Sequence, residues 1–267
     1  LAHHDLVVGR PPFSLDEDEL VLSPAVGLAH FPDHGRQAAD LVDRAGLAVR
    51  NARHMAGRPL AVYTPQIGEE AQQRLTVEQE LRRAIERDEL CVHYQPKHDV
   101  QSLAIVGAEA LVRWNHPQRG LLGPAAFVAL AEESGLVAAI GRHVLESGSR
   151  ELVTWDAARA SSGLPSTPLR MAINLSALQF RLGNIVPLVA RLLDDTGLLP
   201  SRLTLELTET LLIDEGDGAL DQLRALKRLG VELSLDDFGT GYSSLAYLQR
   251  FPLDEIKIDR SFVRDLD

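Results

Sequence analysis

From residue 91 onward the sequence predicts an α/β fold, a mostly parallel sheet with helices between its strands. Three observations carry that prediction. Short strand-like runs alternate with helical stretches, the pattern of successive βαβ units. The apolar residues of each strand share one parity, which puts them on one face. An acid or amide then stands near the C-terminal end of the opposite, polar face on strand after strand.

The elements follow in order. Residues 20–31, LVLSPAVGLAHF, read as a strand, and 36–56 as an amphipathic helix, because Ala38, Leu41, Val42, Ala45, Ala48, Val49 and Ala52 recur at helical spacing. Gly57 is placed as its C-cap, with Pro59 beyond and a short strand at 60–63. Residues 64–75 are polar and read as a linker into a helix over 76–89. Its Glu78–Arg82 spacing is a supportive charge pair on a solvated face. Strands are then expected at 91–96, 105–114, 169–175, 202–208, 231–236 and 254–258, and helices at 125–133, 137–159, 184–196, 217–229 and 243–249. Six strands fall short of the eight that close a (β/α)₈ barrel of about 250 residues. The 267 residues lack an initiator Met and are read as a fragment of a longer chain.

Composition narrows the function. Hydrophobic residues make up 45% of the chain, enough for a sizeable core, and a net charge of −11 without a basic run argues against nucleic acid as a partner. Cys91 is the only cysteine, which fits a reducing, cytoplasmic setting. No signal peptide or apolar run of about 20 residues is present, so any membrane association is expected to come from regions outside this sequence.

The polar faces hold the chemistry. Leu203, Leu205 and Leu207 alternate with Thr204, Glu206 and Thr208; Met171, Ile173 and Leu175 oppose Arg170, Ala172 and Asn174; Val231, Leu233 and Leu235 oppose Glu232, Ser234 and Asp236; Ile256 and Ile258 oppose Glu255 and Lys257. Collected at one end of a barrel, Glu109, Asn174, Glu206, Asp236 and Lys257, with Asp237 beside Asp236, form an all-oxygen set around one lysine. Converging carboxylates repel unless a cation neutralises them, and oxygen donors suit Mg²⁺ or Mn²⁺. Two such ions about 3.5–4 Å apart can serve an in-line displacement at phosphorus. Residue chemistry reaches a metal-dependent phosphoryl or carbonyl-polarising enzyme and stops there.

The strings themselves go further. YQPK (94–97), EALVRW (109–114), WNHPQRG (114–120), INLS (173–176), ELTET (206–210), DDFGTGYSSL (236–245) and KIDRSFV (257–263) occur in this order. Over residues 90–267 the chain resembles the EAL family of cyclic-di-GMP phosphodiesterases. The resemblance implies a TIM-like (β/α)₈ barrel that hydrolyses cyclic di-GMP to linear pGpG with two Mg²⁺ or Mn²⁺ ions. It assigns Glu109, Asn174, Glu206, Asp236 and Asp237 to the metals, with Glu206 and Asp236 also counted as catalytic. Lys257 is assigned to the nucleophilic water, Gln95, Leu111 and Arg113 to the nucleotide, and Glu209 to support of the DDFGTGYSSL loop, which also implies a homodimer. The family's later EGVE-like glutamate base and QGY-like strand are not among these residues. General-base catalysis contributes about 10²–10⁴-fold, so this stretch alone is expected to be weakly active or inactive.

Residues 1–70, through SPAVGLAHFPDHG (23–35) and AADLVDRAGLAVRNARHMAGR (38–58), resemble the C-terminal part of a GGDEF domain, an α+β fold. Gly46 departs from that family's usual Asp. Residues 71–89 are expected to connect the two domains. A non-catalytic cyclic-di-GMP receptor is the rival reading, and a purely dimerising module and a cyclase stand behind it. Cys91 is expected as a small buried hydrophobe, His93 as a packing residue, and Trp114 and Trp155 as packing, with Trp114 close enough to Arg113 to wall a nucleotide pocket.

Overall fold

A computed structural model describes residues 13–15, 18–20, 25–54, 60–163, 168–239, 250–262 and 264. The chain divides into two compact units, residues 1–77 and 78–267.

In the first unit β1 (Phe13–Leu15) pairs antiparallel with β2 (Asp18–Leu20). A βαβ unit follows: β3 (Val26–Leu28) runs parallel to β4 (Leu60–Val62), joined through α1 (Ala38–His54). Ala48, Ala52 and Ala61 form its buried core. Gly27 lets strand and helix touch, since a Cβ there would lie 2.2 Å from the Ala45 carbonyl oxygen. The strand expected over 20–31 is thus confined, among the described residues, to two short pieces, while Gly57 and Pro59 lie outside them. The expected linker at 64–75 is helical instead: α2 runs unbroken over Pro65–Glu86. Proline at the first helical position is preset for a helix, and the Thr64 hydroxyl accepts the Ile67 N–H at 3.4 Å as an N-cap. Those two residues outweigh the polar composition that suggested a linker. The Glu78–Arg82 pair forms, at 3.3 Å.

The second unit is built on one sheet in the order β11-β10-β9-β8-β6-β5. Its strands are β5 (Leu90–His98), β6 (Ile105–His116), β8 (Arg170–Leu175), β9 (Leu203–Thr208), β10 (Glu232–Phe238) and β11 (Glu255–Ile258); β7 (Gly120–Leu122) pairs antiparallel with the end of β6, off this order. All six expected strands are present. Neighbours from β6 to β11 are parallel, whereas β5 is antiparallel to β6, because the connection at 99–104 is too short for a crossover.

Helices α3 (Val128–Ser134), α4 (Val137–Ser161), α5 (Ala177–Arg181), α6 (Ile185–Thr196) and α7 (Glu209–Leu229) connect them. α4 packs on β6 and β8, and α7 on β9 and β10. α7 begins well before the expected residue 217, with an acid, Glu209, in its first turn, where the helix dipole favours negative charge. Residues 243–249, expected to be helical, lie outside the described residues.

The apolar parity holds in the centre: Leu203, Leu205, Leu207, Leu233, Leu235, Met171 and Ile173 are all essentially inaccessible. It does not hold on β11. There Ile256 and Ile258 are 46% and 63% exposed, because no helix among the described residues covers that edge strand. Arg202 ties α4 to the entry of two strands: it is paired with both Asp156 oxygens and donates to the Leu169 carbonyl at 2.7 Å. No helix among the described residues is long and apolar enough to cross a membrane.

Candidate metal centre

The parallel register brings the polar faces together. Asn174 is level with Glu206, and Glu206 with Ser234. β6 sets Glu109 beside Ala172, a small residue that leaves room for its carboxylate. Ser176 caps α5 directly after β8, in a reciprocal box with Gln179, which fixes the strand end that carries Asn174.

One oxygen from each of Glu109, Glu206 and Asp236 lies within 4.8 Å of the other two. Between them sits the Lys257 ammonium, donating to Glu206 Oε2 at 2.7 Å, Asp236 Oδ2 at 3.0 Å and Glu109 Oε2 at 3.2 Å. Asn174 Nδ2 donates to the second Glu109 oxygen at 2.8 Å. Glu206 is almost wholly buried, while Glu109 and Asp236 reach solvent. Burial pushes the Glu206 carboxyl above its usual range, against the opposing hydrogen bond from Lys257. Burial alone would lower the Lys257 pKa, but the Glu206 hydrogen bond and the surrounding carboxylates raise it above its usual value.

The structure therefore gathers Glu109, Asn174, Glu206, Asp236 and Lys257. Asp237 stands apart: it is exposed, with a left-handed backbone (φ 53°), and outside the three-carboxylate group. Its carboxyl is raised by partial desolvation and then by Asp236 and Asp259. Gln95 lies directly across from Glu109 on β5. Leu111 and Arg113 follow Glu109 at the same parity along β6, half-buried. Arg113 turns one guanidinium nitrogen onto the Val112 carbonyl at 2.8 Å. Buried Glu209 accepts the Gly239 N–H at 3.4 Å, at the root of the 236–245 segment; residues 240–249 lie outside the described residues.

Trp114 packs as expected, fully buried against Phe127, and its parity, opposite to that of Arg113, turns it away from the site. Two expectations change. His93 does not pack in the core: it is exposed, across β5 from Leu111. Cys91 is half-buried and accepts from Asn115 Nδ2 at 3.4 Å rather than lying in an apolar pocket. Sequence reading also passed over Lys97, whose ammonium reaches Glu255 at 2.9 Å and Glu206 Oε1 at 3.6 Å. Its shared parity with Gln95 was the available sign.

A cluster of hard oxygen donors around a lysine fits a divalent cation of the Mg²⁺ or Mn²⁺ kind. The donors are close enough to share one ion, and the Lys257 ammonium offsets part of their repulsion.

An open-ended parallel sheet flanked by helices, with carboxylates toward the C-terminal ends of its strands, defines a (β/α)-barrel type of domain with an acidic mouth. The chain belongs to the EAL domain family, whose model matches residues 78–267. It is similar to the bifunctional diguanylate cyclase/cyclic di-GMP phosphodiesterase MucR of Pseudomonas aeruginosa, 38% identical over 96% of this chain and 36% of that protein. Similarity to the cyclic di-GMP phosphodiesterase PdeR of Escherichia coli is also 38%, over 96% of this chain and 38% of that protein. The chain thus spans little more than a third of the length of these relatives. Among solved structures, the MucR phosphodiesterase in complex with c-di-GMP is 44% identical, with a TM-score of 0.65 over 73% of this chain and 75% of that one. The EAL enzyme Bd1971, with cAMP and cyclic di-GMP bound, gives a TM-score of 0.71 at 30% identity, over 88% of this chain and 60% of that one.

Proposed function

We propose that this chain is the phosphodiesterase part of a signalling protein that hydrolyses cyclic di-GMP to linear pGpG. The observation that carries the reading is the convergence of Glu109, Glu206 and Asp236 on Lys257, together with membership of the EAL family. Glu109, Asn174, Glu206 and Asp236 would hold one divalent ion, with Asp236 and Asp237 serving a second. Bound there, such ions supply Lewis-acid neutralisation of charge on the phosphoryl oxygens.

The chain's own residues bind and orient. Arg113, on the same strand face as Glu109, leaves the Val112 carbonyl to meet a phosphate oxygen, a charge-assisted contact. Gln95 and Leu111 take the guanine side of the ligand. Lys257 holds the attacking water by hydrogen bond, in line with the bond to the leaving 3′ oxygen. Water adds to phosphorus as that bond breaks, its proton passes to a base, and the leaving 3′ oxygen takes up a proton from solvent to become the 3′-hydroxyl. The resemblance assigns that base to a glutamate in an EGVE-like string that is not among these 267 residues. Glu209, bonded to the Gly239 N–H, steadies the root of the 236–245 segment, through which the resemblance implies a homodimer.

The first unit is read as the C-terminal part of a GGDEF domain. Its parallel βαβ arrangement supports this, as does the match of MucR, whose name includes diguanylate cyclase, across 96% of the chain. A cytoplasmic position goes with both readings.

The test is titration calorimetry of cyclic di-GMP in Ca²⁺ and then Mg²⁺, beside Glu206→Ala, followed by an assay for pGpG. Metal-dependent binding that Glu206→Ala abolishes supports the reading, and pGpG establishes catalysis. Binding without pGpG in the full-length protein would make it a receptor, and metal-independent binding would defeat the proposed site.

A further inference from the structure

Lys97 and Glu255 stand on β5 and β11, the two end strands of the sheet order, yet their side chains meet at 2.9 Å. Lys97 faces Gly107 across the β5–β6 ladder. Because Gly107 has no side chain, the Lys97 stem can cross that position into the interior. Nothing larger would fit, since a Cβ on Gly107 would lie 2.5 Å from the Arg170 carbonyl oxygen. Lys97 thereby lines a cavity of about 380 Å³ with Ala172, Thr204 and Glu255.

Two buried polar atoms adjoin this place without a hydrogen-bond partner among the described residues: Glu206 Oε1 and Ser234 Oγ. They sit on neighbouring strands at paired register positions, with Glu255 next in the same row. Leaving a buried carboxylate oxygen unpartnered is costly. Lys97 Nζ is a cation 3.6 Å from that oxygen. Lys257 donates to the other oxygen, Oε2. The two ammonium groups therefore flank the two oxygens of one carboxylate, Lys257 by a hydrogen bond and Lys97 by charge alone.

We propose that Lys97 is a positioning residue for the metal centre, a counterion set beneath Glu206 that holds Oε1 and so presents Oε2 to the ion. This rests on the reading of Glu206 as a metal ligand. A cation so near a metal site also repels the ion. Lys97 lies on the Oε1 side and Lys257 on the Oε2 side with the other two carboxylates, and the sign of the Lys97→Met effect on Mn²⁺ affinity reads whether orientation or repulsion prevails. Groups that orient a ligand in this way are commonly worth about 10–100-fold in metal affinity.

The experiment is calorimetric titration of Mn²⁺ into the full-length protein and its Lys97→Met, Lys97→Arg, Glu255→Gln and Glu206→Ala variants, with melting curves confirming the fold. Lys97→Met is expected to bind Mn²⁺ at least about 10-fold more weakly. Lys97→Arg should recover most of that loss. Glu255→Gln should stay within about threefold of the parent, since it frees Lys97 to serve Glu206 alone. In hydrolysis of cyclic di-GMP, Lys97→Met should lower kcat and leave KM within about twofold, because the substrate contacts are elsewhere. Unchanged or tighter Mn²⁺ binding in Lys97→Met overturns the proposal. So does a loss in Glu255→Gln as large as that in Lys97→Met, which would make Lys97 a tie between strands. If Lys97→Met does not fold, Lys97→Gln takes its place under the same criteria, and failing that the Glu255→Gln result decides. A parent that binds no Mn²⁺, or a Glu206→Ala that binds it normally, overturns the metal-site reading and this proposal with it.

Discussion

Lys257 Nζ and Glu206 Oε2 lie 2.7 Å apart inside the sheet, on strands separated by β10, and the same ammonium also reaches Asp236 and Glu109. A lysine that serves three carboxylates takes part of the place a divalent ion would take. It offsets part of their mutual repulsion, and in the proposed site it would stand beside the ion.

Lys257→Met should therefore cost stability most when no divalent ion is present. Breaking a largely buried charge cluster by removing one sign costs on the order of 3 kcal/mol. Thermal melts with and without Mn²⁺ check this: the gap between variant and parent should narrow when the ion is added, while hydrolysis of cyclic di-GMP stays lost. An equal gap in both conditions would show that Lys257 is a packing residue.

Gly107→Ala should damage the site from below. Its Cβ would meet the Arg170 carbonyl oxygen at 2.5 Å, so β6 and β8 must part at the level just beneath Glu109. Overpacking of this kind costs about 1–3 kcal/mol. Cyclic-di-GMP binding in Ca²⁺ should weaken along with stability. A variant that melts and binds like the parent would show that the strands give way freely.

Arg202→Lys should lower the melting temperature without touching ligand binding. The guanidinium spans Asp156 and the Leu169 carbonyl, and a lysine cannot reproduce that fork. The loss should be about 1–3 kcal/mol, measured by urea unfolding at constant m-value. Arg202 is remote from the carboxylate cluster, so a fall in cyclic-di-GMP affinity would contradict the prediction.

Tyr94 should titrate late. Burial, and then the charge of Glu151, push its phenol from 10.0 up to about 12, and its ring stands edge-on to Trp155 at 5.0 Å. Between those two values the unfolded chain has lost a proton that the folded chain retains. Folding stability must therefore fall as pH rises through that window. Alkaline difference spectra should show a late phenol that Tyr94→Phe removes, and the variant should lose less stability between pH 10 and 12.

Much of the fold was legible because a strand's side chains alternate. The parity of Leu203, Leu205 and Leu207 against Thr204 and Glu206 is a property of the chain alone, and the buried face follows from it. The same periodicity placed Glu109, Asn174, Glu206, Asp236 and Lys257 on inward faces before any distance was known, and the motif strings supplied the family. Other features were misread where local chemistry outweighed composition. Thr64 and Pro65 start a helix in a polar stretch, and α7 begins at Glu209 rather than 217.

What only the tertiary structure decided concerns groups whose partners are distant in sequence and fixed by strand order. Lys97 and Glu255 are 158 residues apart and meet because the sheet brings its first and last strands together. Asp236 and Asp237 are adjacent in sequence, yet only Asp236 joins the carboxylate cluster. The backbone turns left-handed at Asp237 and leaves it exposed. Trp114 and Arg113 are also neighbours, and the pleat sends one into the core and the other to the face of the site. Periodicity along the chain determines which face a residue takes. Which oxygen meets which ammonium depends on register and curvature, and those are set only when the strands are assembled.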